Sequence, residues 1–102
     1  MNAVHHIEND VMVVARCKAA AFRHGVYLFV RDAVMAAQPH LVEFFWAGRR
    51  FGGLTRLRYA IAFDLRQRGL TWKEVGEVLG LTEANARKGA KRHEASRLAA
   101  RG

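Results

Sequence analysis

Apolar residues recur along this chain at spacings of three and four, and strict alternation is scarce, so the pattern predicts helices rather than strands. Asn9 or Asp10 can cap a first helix running to about His24, with Gly25 as its stop. Val11, Val14, Cys17 or Lys18, Ala21 and Phe22 give that helix its apolar stripe. Residues 26–37 are ambiguous. Their first half is rich in β-branched and aromatic residues and suits a strand, whereas the alanines that follow favour the helix expected here. Pro39 breaks that element or opens the next, which is expected to run to about Arg50. Gly52-Gly53 reads as a linker. From Leu54 to Arg68, the side chains of Leu54, Leu57, Ile61 and Leu65 share one face, while Arg56, Arg66 and Arg68 point elsewhere, and Gly69 ends the helix.

Residues 70–91 hold the densest set of local signals. Thr71 is a good N-cap, and Glu74 three residues on completes a capping-box pattern. Trp72, Val75, Val78 and Leu79 follow at helical spacing. Gly76 places no side chain where a second helix would press. Gly80 can take the left-handed conformation that stops a helix, and Leu81 is an apolar plug behind it. Thr82 can cap a second helix through Arg87, Lys88, Lys91 and Arg92.

This arrangement resembles the helix-turn-helix of phage-type repressors and of sigma-factor region 4, over about a fifth of the chain. Gly76, Gly80 and Leu81 match the family's tight position, turn glycine and apolar residue after the turn. Ala86 and Gly89 depart from it, since the family carries a branched apolar residue at the first and an apolar one near the second. The resemblance implies an all-α helical bundle with a C-terminal helix-turn-helix and a partner of double-stranded DNA. It assigns Thr82, Glu83, Ala84, Arg87 and Lys88 to base reading, and Arg66, Arg68, Lys73, Lys91 and Arg92 to phosphates. A small regulator of phage or mobile-element type is the setting it suggests.

Charge agrees with that partner. The chain holds 17 Lys and Arg against 9 Asp and Glu. Residues 1–47 carry four of each sign, so the whole net charge of +8 lies in residues 48–102. A merely soluble cationic surface explains a positive total but not this segregation, whereas a polyanion partner explains both. The 102 residues read as one domain, with residues 1–51 a neutral, apolar association half and residues 54–102 a basic half. Phe44, Phe45 and Trp46 cannot all face inward on one surface helix. Either that helix is buried on several sides or the cluster is an interface for a homodimer or another partner.

Other chemistry has little support. Cys17 is the only cysteine, in an alanine-rich stretch, and reads as a buried inert thiol. His5, His6, His24, His40 and His93 match no common metal-ligand spacing, and His5-His6 reads as an exposed tail, so neither metal nor cofactor is expected. Asp32, Glu43 and Asp64 are scattered, and Gly52-Gly53 lacks the Lys-Ser or Lys-Thr of a phosphate loop, so no enzyme is expected. The longest uncharged run, Ala33 to Val42, is too short to span a bilayer, and the start lacks a secretory pattern, which points to a cytoplasmic protein. Two other readings remain open: an interaction protein that binds RNA polymerase or another regulator through its aromatic cluster, and a non-specific RNA binder.

Overall fold

The structure, a computed structural model, describes the backbone of residues 2–101 and the side chains of residues 10–101. Helices α1 (Asn2–Arg23), α2 (Tyr27–Ala37), α3 (Val42–Trp46), α4 (Leu54–Gln67), α5 (Trp72–Leu79) and α6 (Glu83–Arg101) account for most of the chain, with a 3-10 turn at Pro39–Leu41. The fold is all-α, and no strand occurs among the described residues. No helix among them is long and apolar enough to cross a membrane.

The alanine-rich second half of α2 carries its apolar first half into the helix, burying Val30 and Val34. The first helix starts earlier than the cap signal at Asn9 or Asp10 suggests, and runs unbroken through both. Val4, Ile7, Val11 and Val14 keep helical spacing in the sequence, so the periodicity continues upstream of both residues. Asp10 instead pairs with Arg49 at 2.7 Å, and the side chains of His5, His6 and Asn9 lie outside the described residues. Of the expected stripe, Cys17 and Ala21 are buried, Lys18 and Val14 are half-buried, and Val11 and Phe22 face outward.

The largest departure is at residues 39–53. The single helix expected from Pro39 to about Arg50 is instead the 3-10 turn followed by five residues of α3. Gly48 then takes a φ of +82°, which ends helical winding. Arg58, buried on α4, explains what holds this irregular stretch. Its guanidinium donates to the carbonyls of Phe45 and Arg49 and lies 4.7 Å from the centre of the Phe45 ring. The carbonyls at the end of α3 and just beyond it thus find a cation, which the Phe45 carbonyl accepts in addition to the Gly48 amide at 3.1 Å. Burial lowers the pKa of Arg58 to about 10, so it still carries its charge at neutral pH. Gly52-Gly53 is correspondingly no loose linker. Both residues are left-handed, the Gln38 side chain donates to the Gly52 carbonyl at 2.9 Å, and Gly53 caps α4.

One apolar core joins all these parts. Trp46, Val30, Val34, Leu54, Ile61, Leu65, Val75 and Val78 are its largest fully buried members. Burying each aliphatic side chain of this size is worth about 1.5–3 kcal/mol. Because Cys17, Ala20 and Ala21 of α1 share that core with Val75 and Val78 of α5, the neutral first half packs directly on the basic second half.

Candidate nucleic-acid interface

Residues 71–82 fold as their local chemistry dictates. The Thr71 hydroxyl accepts from the Glu74 amide at 3.1 Å, and the Glu74 carboxylate accepts from the Thr71 amide at 2.8 Å. The Thr71 amide above all, helped by the Thr71 side chain and His24, holds the Glu74 carboxyl below the usual carboxylate range against the opposing effect of burial. At the other end Gly80 has φ +69°, and the Leu81 amide donates to the Gly76 carbonyl at 2.9 Å. A Cβ on Gly76 would lie 2.4 Å from the Leu81 carbonyl oxygen, so only glycine lets the turn fold back this tightly on α5. The Thr82 hydroxyl then accepts from the Asn85 amide at 3.0 Å and caps α6.

This leaves α6 with two unlike faces. Ala86, Gly89 and Ala90 are buried against the other helices, while Thr82, Glu83, Ala84, Arg87 and Lys88 are all exposed around the first two turns. Lys91 and Arg92 are exposed further along. The two departures from the helix-turn-helix pattern now have a cause. A Cβ on Gly89 would sit 2.1 Å from Cδ1 of Tyr59, so the Tyr59 ring on α4 occupies the volume a larger residue at Gly89 would need. Ala86 is fully buried in the core.

The proposed phosphate residues divide. Lys73 and Glu83 line one groove of about 600 Å3 together with Arg16 and Arg23 of α1. Arg66 instead donates to the Leu70 carbonyl at 3.0 Å and lies over the Trp72 ring, and Arg68 lies over the Phe29 ring. Those two stand at the C-terminal end of α4, whereas Arg92 lines a cleft with Arg56 near its N-terminal end. From Arg56 to Arg66 the helix rises about 15 Å. The phosphate set is therefore split between the two ends of α4.

Several residues at this surface escaped the sequence reading. Asn85 is as exposed as its neighbours on the first turn of α6. Arg16 and Arg23 belong to the supposedly separate neutral half, yet border the groove beside Glu83. Their spacing of seven places them on one face of a helix, the one signal that could have found them. Arg23 also pairs with Glu77 at 3.4 Å, and His24 approaches Glu74 at 3.5 Å, so α1 is tied along α5.

Of the two readings of the aromatic cluster, burial holds for two of its three rings. Phe45 and Trp46 are 2% and 1% exposed, and so cannot form the centre of an interface. A five-residue helix wrapped by α1, α2 and α4 buries two of its rings and leaves only Phe44 outside. Phe44 meets the exposed Phe51 edge to face at 5.1 Å. Cys17 is buried, and loss of solvent pushes its thiol pKa upward, which keeps it protonated and a poor nucleophile. Among the described residues, no three His, Cys, Asp or Glu side chains gather as metal ligands.

Comparison of the chain with protein-family models, with curated proteins and with solved structures found no match.

Proposed function

We propose that this protein is a sequence-specific DNA-binding transcriptional regulator, of phage or mobile-element type, in which α5, the turn and α6 act as a helix-turn-helix. The observation that carries the reading is the division of α6. Its first two turns offer Thr82, Glu83, Ala84, Arg87 and Lys88 to solvent, while Ala86, Gly89 and Ala90 fix the helix from behind. A helix so held can enter a major groove without losing its own support. Arg87 can pair bidentately with guanine, Glu83 can accept from cytosine, and Ala84 can meet a thymine methyl. Asn85, equally exposed, suits adenine. Lys73, Lys91 and Arg92, with Arg16 and Arg23, then serve phosphates.

Two copies would read two successive turns of duplex. With Phe45 and Trp46 in the core, the pairing surface in this reading is the exposed pair Phe44 and Phe51, with Met12 on the exposed side of α1.

Selection from random duplex DNA at physiological salt tests the reading. An enriched, two-fold symmetric motif is expected. Arg87→Ala is expected to cost about 1–3 kcal/mol on that motif and to relax one position in each half-site. Salt-sensitive binding with no enriched sequence would overturn sequence reading, and a monomeric mass with a single protected half-site would remove the dimer.

A further inference from the structure

The cleft between α4 and α6 has a composition unlike the rest of the surface. Arg56, Tyr59, Arg92, His93 and Ser96 line it, enclosing about 480 Å3. Each of the five can donate a hydrogen bond, and no carboxylate is among them. Among the described residues neither arginine has an acidic partner, although Arg23, Arg31 and Arg49 each find one. The cleft exists because Tyr59 lies against the bare backbone at Gly89, which brings α4 close enough for Arg56 to share a wall with Arg92 and Ser96. Two guanidinium groups and three further donors on one cleft, with no carboxylate among them, suit an anion, and the guanidinium fork matches a phosphate.

We propose that this cleft is a socket for a backbone phosphate of duplex DNA, a contact that rests on the DNA-reading role of α6. Geometry selects this occupant. Ser96 lies nine residues beyond Arg87 on one continuous helix, a rise of about 13 Å. The major groove is about 12 Å wide. A helix whose first turns lie among the bases and whose axis leans across the groove brings the cleft to the bordering strand. There Arg56, contributed by α4, grips the strand from outside the reading helix and fixes the depth to which α6 enters.

Fluorescence anisotropy with a labelled random-sequence 20-base-pair duplex, from 50 to 200 mM salt, tests the socket. Arg56→Gln is expected to lower the slope of log affinity against log salt by about 0.9, the value of one phosphate contact, and to weaken binding several-fold. Arg56→Lys should restore most of the slope but only part of the affinity, because it keeps the charge and loses the fork. Arg31→Gln, on α2 beside Asp32, should change neither. Melting temperatures of the variants separate any loss of folding from loss of contact. If wild-type protein binds and Arg56→Gln keeps its slope, the socket is overturned while the reading helix stands. A slope loss without any enriched sequence keeps the socket and overturns base reading. Wild-type protein that binds no duplex at 50 mM salt overturns both.

Discussion

Residues 71–82 and residues 39–53 both turn the chain between helices, but they are held in different ways. The first is held chiefly by its own atoms. Thr71 and Glu74 cap each other, Gly80 supplies the left-handed step, and Gly76 receives the Leu81 amide. The second borrows its support. Its carbonyls at Phe45 and Arg49 are satisfied by Arg58, nine and more residues later, and its glycine turn is held by Gln38 from before it. A turn stabilised from within should weaken in small, separable steps, whereas one that hangs on a single buried cation should fail together.

The largest effect is expected where the support is borrowed. Arg58→Met would take a charged donor from two carbonyls, leaving the Phe45 carbonyl with the Gly48 amide alone and the part-buried Arg49 carbonyl without its side-chain donor. A loss of about 2–4 kcal/mol is expected, since two hydrogen bonds from a charged group, each worth about 1.5–3 kcal/mol, are lost and water can replace the part-buried one at Arg49. Amide exchange should show protection lost first at residues 45–52, with α5 opening only on global unfolding. Earlier exchange in α5 would contradict the contrast.

Gly80→Val comes next, at about 1–3 kcal/mol, because a β-branched residue is strained at φ +69°. DNA affinity should fall with stability as α6 loses its angle to α5. An unchanged melting temperature with unchanged affinity would refute the tight turn. Thr71→Ala should cost about 1 kcal/mol, the usual worth of an N-cap, read by chemical denaturation. It should spare residues 39–53 entirely.

The smallest effect is the pH dependence of the capping box. The folded protein holds the Glu74 carboxyl below its ordinary value, so its contribution is complete above the usual carboxylate pKa of about 4.3. That contribution is lost as pH falls through the lower, folded value. Glu74→Gln keeps a side-chain acceptor but cannot titrate. Its melting temperature should therefore fall less than that of the wild type between about pH 5 and pH 3. Parallel curves would show that the carboxylate contributes nothing through its charge.

The same contrast explains what could be read from the sequence. The capping box, the stop at Gly80, the cap at Thr82 and the apolar face of α4 were legible because each depends on residues within one or two turns. The fate of Arg58 was not, since its partners are backbone carbonyls with no sequence signature and an arginine in an amphipathic helix is ordinarily solvated. Once Arg58 is inside, Phe45 lies against it and Trp46 packs beside both, which is why the aromatic cluster looked like an interface and proved mostly core. The split between neutral and basic halves was a true feature of charge. It was a poor guide to contact, because Arg16 and Arg23 cross over to border Glu83.

The contact of Tyr59 with Gly89 makes an aromatic ring the spacer between two helices. Carbon atoms in such a contact settle about 3.5–4 Å apart, so the tilt of α6 is gauged by the thickness of one side chain. The exposed first turns of α6 lie on one side of this fulcrum and the Arg56–Arg92 cleft on the other. A change of shape at position 59 would swing both arms of the lever at once, leaving every outward-facing residue the same. Where α6 points can thus be retuned from behind, at its contact with α4.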